Sequence, residues 1–123
     1  MILVDTSVWI DHISAADPVL TALLADERVL AHPYVIGEIS LGSLRNRKVV
    51  LGALLDLPSA PVATPQEIFF IFEREGPFAR GIGYVDASLL ASARLQPSVT
   101  VWTRDKRLKS VADEIGLGAV LGH

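Results

Sequence analysis

The sequence predicts an α/β fold: a three-layer sandwich whose central, mostly parallel sheet of four to five strands is flanked by helices. Short apolar runs typical of buried strands alternate along the chain with longer segments of helical periodicity. This alternation favours a parallel sheet with helices on both faces. The 123 residues contain no internal repeat, so one domain is expected over residues 1–123. Hydrophobic residues make up 50% of the chain, enough for a core without disulfides.

The first half of the chain contains two predicted strands. ILVD (residues 2–5) is a short apolar run with a polar stop, and RVLAH (residues 28–32) is a second such run. The polar RNRK run (residues 45–48) is predicted to be a loop. Pro18 stands at the first position of a helix, where proline is favoured. Four helices are predicted in this half, over residues 7–13, 17–26, 33–44 and 49–57.

The second half begins with a proline-rich connector, PSAPVAT, which has room for one short strand. Helices are predicted over residues 65–75 and 84–95, with the glycine-rich loop GPFARGIG between them. SVTVWT (residues 98–103) is predicted to be a strand, and RDKRLKSVADEIG (residues 104–116) a helix that ends at a glycine C-cap. LGAVL (residues 117–121) is the candidate for a last edge strand.

The composition excludes several classes of protein. The absence of cysteine excludes disulfides, cysteine-based zinc sites and thiol nucleophiles, and fits a reducing compartment. The net charge of −3 is not that of a basic nucleic-acid binder, although the positive residues are clustered. The N-terminus lacks the basic region of an export signal, and no apolar run approaches the ~20 residues of a membrane span. We therefore expect a cytoplasmic protein without membrane contact.

Four of the fourteen acidic residues occupy unusual positions. Asp5 follows the first strand, and Asp105 follows the strand SVTVWT. Glu38 interrupts the apolar stripe of its helix, and Asp86 lies in the first turn of another. Taken singly, each has a structural explanation, because aspartate suits helix caps and first turns and Glu38 has arginine residues of the RNRK run as possible ion-pair partners.

Taken together, the four acids predict a metal site. The carboxyl ends of parallel strands and the first turns of the connecting helices meet at one edge of the sheet. Crowded carboxylates repel one another, so this arrangement favours a compensating cation. Oxygen ligands select a hard ion, Mg²⁺ or Mn²⁺, which can activate water against a phosphodiester. The hydroxyls of Thr6, Ser7 and Thr103 are expected to orient the carboxylates or bound water.

Basic residues lie beside these acids in the sequence. Those expected to contact the phosphates of a nucleic acid are Arg45, Arg47, Arg80, Arg104, Lys106 and Arg107. For each basic run the alternative is an ordinary solvated helix face. Trp9, Tyr84 and Trp102 are the nearest aromatic residues, for which base stacking and core packing are both open.

The ordered motifs VDTSVWI, GE inside a mid-chain helix, IGYVDASLLASA and WTRDKRL resemble those of the PIN-domain ribonucleases, and most of all the VapC toxins of toxin–antitoxin pairs. The resemblance implies a PIN-like fold with an acidic quartet that binds Mg²⁺ or Mn²⁺ and cleaves RNA, namely Asp5, Glu38, Asp86 and Asp105. Ser7 and Thr103 match the hydroxyl positions beside the first and last acids.

The resemblance also implies partners. Such toxins form homodimers and hetero-oligomers with a cognate VapB-like antitoxin, whose C-terminal segment covers the active-site groove. The helices VVLGALLDL and EIFFIFERE are candidate apolar surfaces for these contacts, and core packing is the alternative for both.

One departure from the family pattern bears on the metal. Some relatives carry a further acid shortly after the position of Asp105, where this chain has Lys106, Arg107 and Leu108. We therefore expect one ion in the free protein and a second that arrives with RNA.

Three other classes of protein are alternatives for this chain. A receiver-type signalling domain needs paired acids after the first strand, and a haloacid-type phosphatase needs a second aspartate at the position of Ser7. Neither requirement is met. The remaining alternative is a catalytically silent module of the same fold that binds RNA or protein.

Overall fold

A three-stranded parallel sheet forms the centre of the structure, a computed structural model that describes residues 1–75 and 81–121. Strand β1 (Ile2–Val4) lies in the middle of the sheet, between β2 (Val29–Leu30) and β3 (Thr100–Trp102). All residues of β1 and β2 are buried. This burial explains why both strands are uninterrupted apolar runs, because a strand that is covered on both faces has no solvent side to make polar.

The register of the sheet brings distant residues together at its carboxyl edge. Val4 of β1 pairs with Trp102 of β3 in parallel, so that Asp5 and Thr103 leave the sheet side by side. The backbone N–H of Asp5 donates to the carbonyl oxygen of Trp102 over 2.9 Å. The two strand ends that the sequence predicted to meet are therefore adjacent.

Helices flank the sheet, as the sequence predicted for an α/β fold. Helix α1 packs against α3 and α3 against α4, whereas α5 packs against α6 and α6 against β3. Their bounds are α1 (Thr6–Ser14), α2 (Pro18–Ala25), α3 (Pro33–Ser40), α4 (Arg47–Leu55), α5 (Pro65–Glu75), α6 (Tyr84–Arg94) and α7 (Lys106–Glu114).

The prediction of four to five strands is wrong, because the described residues form only three. The connector and the C-terminal segment each join the sheet as a one-residue parallel bridge, Ala31 with Ser59 and Val101 with Gly118. In the connector, Pro58 and Pro61 lack the N–H groups that a longer ladder would need.

The break between α3 and α4 falls earlier than predicted. Helix α3 ends at Ser40, and the RNRK run is divided, because α4 already begins at Arg47. The Arg47 guanidinium donates hydrogen bonds to the carbonyl oxygens of Ser40 and Gly42, so this side chain satisfies carbonyl groups that the end of α3 leaves without helical partners.

Two other sequence predictions concern glycine-containing segments. The glycine that ends α7 is confirmed: Gly116 has a φ of +77°, a conformation that favours glycine at this position. Of the predicted loop GPFARGIG, residues 76–80, and with them Arg80, lie outside the described residues.

The described part of the chain contains no single helix that is long and apolar enough to cross a membrane. Thr6–Ser14 and Pro18–Ala25 meet the length and composition requirements only as a pair, bent by 104°.

Candidate active site

Asp5 is a buried carboxylate at the carboxyl edge of the sheet, with 6% of its surface exposed. It occupies the N-cap position of α1, but its side chain accepts no capping hydrogen bond. Instead, its Oδ2 atom accepts hydrogen bonds from the hydroxyls of Ser7 at 2.9 Å and Thr103 at 2.7 Å. The capping explanation for Asp5 therefore does not hold, and its carboxylate is held by hydroxyl groups from two different elements.

The two hydroxyls also fix the backbone that leads to Asp105. Ser7 Oγ accepts the N–H of Arg104 at 3.0 Å, and Thr103 Oγ1 accepts the N–H of Asp105 at 3.0 Å. Since each hydroxyl has one proton, which goes to Asp5, the 3.3 Å approach of the two hydroxyl oxygens is a contact without a proton of its own. The network ties the first acid to the last.

Glu38 reaches the same edge from helix α3. It is exposed, and its Oε1 atom accepts a hydrogen bond from the hydroxyl of Thr6 at 2.8 Å. Thr6 is the first residue of α1, directly after Asp5. Neither Arg45 nor Arg47 forms an ion pair with Glu38 within the described residues, so the ion-pair explanation for this glutamate is not realised.

Asp105 caps helix α7 with only one of its two carboxylate oxygens. Its Oδ1 atom accepts hydrogen bonds from the backbone N–H groups of Arg107 at 2.9 Å and Leu108 at 3.0 Å, which makes it the N-cap of α7. Its Oδ2 atom accepts no hydrogen bond from the rest of the described chain. The Oδ1 atom therefore caps the helix, and the Oδ2 atom remains available to a ligand.

The pKa of Asp86 indicates that the four acids lie near one another. It is half-buried in the first turn of α6. Burial raises the pKa of this carboxyl above 3.8, the charges of Asp5 and Asp105 raise it further, and Glu38 adds a smaller effect; the N–H of Gly83 opposes the shift. Carboxylates that alter one another's pKa share one electrostatic environment.

The acids nevertheless do not form a closed metal cage. Among residues 1–75 and 81–121, no group of three or more histidine, aspartate or glutamate side chains is close enough to hold a metal ion directly. The site is thus an open acidic edge, on which any ion would need water molecules to complete its coordination.

Comparison with known proteins agrees with this geometry. The family model of the PIN domain matches residues 2–114. The chain belongs to the PIN-domain family. Two relatives, both named Ribonuclease VapC32, come from Mycobacterium tuberculosis strains CDC 1551 / Oshkosh and ATCC 25618 / H37Rv. Each is 49% identical over 117 residues, which cover 95% of this chain and 94% of the relative. The predicted resemblance to the VapC ribonucleases is confirmed.

The basic residues of this PIN domain differ in what they contact. Arg104 forms ion pairs with Asp11 and Asp17, both at 2.5 Å, and its guanidinium lies 5.7 Å from the centre of the Trp102 ring. Arg47 contacts backbone carbonyl groups, as described above. Arg45, Lys106 and Arg107 are exposed and form no ion pair within the described residues.

The three aromatic residues named from the sequence also differ. Trp9 is a core residue with 4% of its surface exposed, and its Nε1 atom has no hydrogen-bond partner among the described residues. Trp102 is half-buried beneath Arg104. Tyr84, at the start of the Asp86 helix, is 52% exposed, so of these three it is the best placed for base stacking.

His32 is a buried residue of the PIN domain that the sequence reading missed. Its Nδ1 atom accepts the N–H of Tyr34 at 3.1 Å, so neutral His32 carries its proton on Nε2, which lies 3.0 Å from the Ser92 hydroxyl oxygen. Burial lowers the pKa of His32 to about 4. The residue therefore caps α3, which carries Glu38, and joins it to α6, which carries Asp86. A histidine before Pro33, directly after a strand, was the available sequence signal.

The PIN domain exposes apolar side chains in one groove and on the helices α4 and α5. A groove of about 530 Å³ beside α1 and α3 includes Ile10, Ile13 and Leu44, with Glu38 and Arg45 at the same groove. The candidate helices are mixed: α5 buries two isoleucines but exposes Phe69 (61%) and Phe70 (62%), and α4 buries Leu54 but exposes Val49 (72%) and Leu55 (68%). Both helices thus serve the core with one face and leave an apolar face to solvent.

Proposed function

We propose that this PIN domain is a Mg²⁺- or Mn²⁺-dependent endoribonuclease that hydrolyses RNA phosphodiester bonds, and that it is the toxin of a toxin–antitoxin pair. The activity is supported by the relatives named Ribonuclease VapC32. The observation that carries the proposal is the raised pKa of Asp86, because the charges that raise it come from the other three acids. This electrostatic influence of Asp5, Glu38 and Asp105 on Asp86 supports a shared acidic site.

The residues present fit a hard divalent cation. The donors are carboxylate and hydroxyl oxygens, which Mg²⁺ and Mn²⁺ prefer. Asp86 experiences negative charge from three carboxylates, which a cation would offset. Because Mg²⁺ keeps several waters and is usually bound through one or two carboxylates, the absence of a closed cage among the described residues is compatible with one water-rich ion. Asp5, Glu38, Asp86 and Asp105 would hold it.

A divalent ion at this edge would supply water of lowered pKa and would offset the charge of the phosphate that is attacked. The protein's own contribution is orientation. Ser7 and Thr103 hold the Oδ2 atom of Asp5 by hydrogen bonds, which leaves Oδ1 for an ion. Thr6 holds Oε1 of Glu38 in the same way. Fixed carboxylates need little reorganisation when a phosphate binds, which is the main electrostatic advantage of a preformed site.

A catalytically silent binding module remains the second candidate. The observation that favours it is that no three of the described acids are close enough to bind one metal ion directly. The two candidates predict different outcomes in a cleavage assay, because a silent module binds RNA or protein without changing its length.

The decisive experiment incubates single-stranded and structured RNA with the purified protein in Mn²⁺ or EDTA. We expect cleavage in Mn²⁺, none in EDTA, and none with Asp86→Asn, in which an amide oxygen can still accept the Gly83 N–H. The control is Asp26→Asn, the same change at the exposed C-cap of α2, which should cut as the parent does. Undiminished cutting by Asp86→Asn would exclude the proposed metal site.

The toxin assignment requires an inhibitory partner. We propose that the antitoxin's C-terminal segment occupies the groove beside α1 and α3, because this groove combines apolar side chains with the site residue Glu38. The exposed phenylalanines of α5 are proposed as part of a homodimer contact. Expression in the bacterial cytoplasm should arrest growth, and co-expression of a small adjacent open reading frame should relieve the arrest. An arrest that Asp86→Asn leaves unchanged would contradict toxicity through RNA cleavage.

A further inference from the structure

Arg107 and its neighbour Lys106 are the two basic residues of the first turn of α7 that form no ion pair among the described residues, and only Arg107 contacts Gly81. Arg107 is an exposed residue, two positions after Asp105. Its backbone N–H donates to Asp105, but its guanidinium forms no hydrogen bond or ion pair with any residue in the described ranges. Arg104 and Lys109, in contrast, are paired with carboxylates. Within the described residues, Arg107 is therefore a cation without a paired carboxylate.

The Arg107 side chain packs closely against Gly81. A Cβ atom at Gly81 would lie 2.7 Å from Cδ, 3.2 Å from Nε and 3.3 Å from Nη1 of Arg107. Gly81 also has a φ of +86°, which L side chains rarely adopt. The backbone conformation therefore favours glycine at this position, and a Cβ atom here would displace the arginine side chain from its place.

This contact bridges the two helices that carry Asp105 and Asp86. Arg107 starts from α7, which Asp105 caps, and Gly81 lies two residues before Gly83, the N-cap of the Asp86 helix. The contact therefore joins the first turn of α7 to the segment that leads into the Asp86 helix, and the charges that raise the pKa of Asp86 are carboxylates. A phosphate that approaches the acidic edge would be repelled by these carboxylates and attracted by this arginine.

We propose that Arg107 binds a phosphate of the RNA at the acidic edge, and that Gly81 is a positioning residue that holds the arginine there. This inference rests on the proposed ribonuclease function. A guanidinium presents paired N–H donors that match two phosphate oxygens, which an ammonium group cannot do. The ligand is a phosphodiester of single-stranded RNA, and Arg107 supplies the positive charge that helps it to enter a negatively charged site.

The test measures binding apart from cleavage. Fluorescence anisotropy of a short fluorescein-labelled RNA of mixed sequence is recorded in EDTA over a range of NaCl concentrations. Arg107→Ala is expected to weaken binding by about tenfold and to reduce the salt slope by about one. Arg107→Lys should keep the salt slope but recover only part of the affinity. Equal affinity and slope for Arg107→Ala and the wild type would overturn the proposal.

The matched control is Arg28→Ala. Arg28 directly precedes β2 and lies at the amino end of the sheet, where its carbonyl accepts the Ile2 N–H. The same loss of charge at this opposite edge should leave RNA affinity unchanged. A loss equal to that of Arg107→Ala would mean that net charge, not the position of Arg107, controls binding.

The role of Gly81 is tested by a double-mutant cycle. Gly81→Ala should weaken RNA binding in the wild type but have no further effect in Arg107→Ala, with circular dichroism to verify folding. If Gly81→Ala does not fold, the comparison of Arg107→Ala with Arg107→Lys still decides the role of the arginine. Wild-type cleavage of RNA in Mn²⁺ is measured in parallel. Failure to cleave rejects the proposed function, whereas cleavage with unchanged binding by Arg107→Ala rejects only this inference.

Discussion

Thr103 and Asp5 are 98 positions apart in the chain, yet the Thr103 hydroxyl donates a 2.7 Å hydrogen bond to Asp5 Oδ2. Both residues are 94% buried, and the same hydroxyl accepts the N–H of Asp105. Thr103→Val keeps the shape of the side chain but removes both interactions. We expect a loss of about 1–3 kcal/mol in the free energy of unfolding, because buried polar groups are left without partners.

Urea denaturation measures this loss, and two variants control for it. Thr103→Ser retains the hydroxyl and should recover most of the stability. Thr100→Val is the same exchange three residues earlier, at a half-buried side chain for which no hydrogen bond is found in the described chain, and it should change little. If Thr103→Val were as stable as Thr103→Ser, the hydroxyl network would not hold the site together.

Asp105 offers a way to separate a helix cap from a metal ligand. Asp105→Asn keeps an oxygen that can accept the N–H groups of Arg107 and Leu108, whereas Asp105→Ala removes the cap at a cost of about 1 kcal/mol. We expect both variants to lose Mn²⁺-dependent cleavage, but only the alanine variant to lose stability. Parallel cleavage assays and urea titrations test this. Normal cleavage by Asp105→Asn would show that Asp105 is only a cap.

The placement of the acids could be predicted from the sequence because it depends on topology. In a parallel sheet, residues that follow neighbouring strands must be close, which applies to Asp5 and Asp105. Glu38 was recognisable because it interrupts an apolar stripe. The details depend on side-chain geometry that periodicity does not encode. The bond from Thr6 to Glu38 and the contact between Arg107 and Gly81 both require the turns to be known.

The strand count is lower than predicted because neither the length of the proline-rich connector nor the apolar run LGAVL is sufficient for a ladder. Ser59 lies between prolines that lack donors, and Gly118 lies next to a C-cap glycine turn. Each segment therefore forms one bridge only. His32 was missed for the opposite reason, since its partner Ser92 is 60 residues away and nothing local marks the pair.

Asp86 provides a stability test for the metal site. Burial and the charges of Asp5 and Asp105 raise its pKa above 3.8. The folded state therefore favours the protonated carboxyl more than the unfolded state does. That stabilisation is present at low pH and is lost as the pH rises through the folded pKa. Asp86→Asn should therefore raise the Tm at pH 7 in EDTA. Mn²⁺ should raise the Tm of the wild type by mass action, but not that of Asp86→Asn.

Differential scanning calorimetry at fixed ionic strength distinguishes a metal-binding role of Asp86 from an ordinary role in the first turn of a helix. Asp26→Asn removes an exposed carboxylate from the opposite edge and should retain the wild-type response to Mn²⁺. A lower Tm of Asp86→Asn in EDTA, together with an unchanged Mn²⁺ response, would show that Asp86 only stabilises the first turn of α6 and does not bind the metal.

The lowered pKa of His32 predicts that the free energy of unfolding falls at acid pH. His32 joins the helix of Glu38 to the helix of Asp86. Its pKa falls from 6.5 to about 4 on folding because the ring is buried, with none of its surface exposed. Between these values the unfolded chain binds more protons than the folded one, so stability rises with pH up to about 6.5 and is lost as the pH falls towards 4. The full effect is about 3 kcal/mol.

The measurement is the free energy of unfolding of the wild type and of His32→Asn from pH 4 to pH 7.5. Asparagine keeps a side-chain oxygen that can accept the Tyr34 N–H, but it does not titrate, so carboxylate effects common to both proteins cancel in the difference. We expect this difference to favour the wild type at pH 7.5 and to diminish steadily as the pH falls, because protonation of Nδ1 directs two donors at each other. A difference that stays constant with pH would show that His32 contributes only its hydrogen bonds and packing, and that acid does not loosen the contact between α3 and α6.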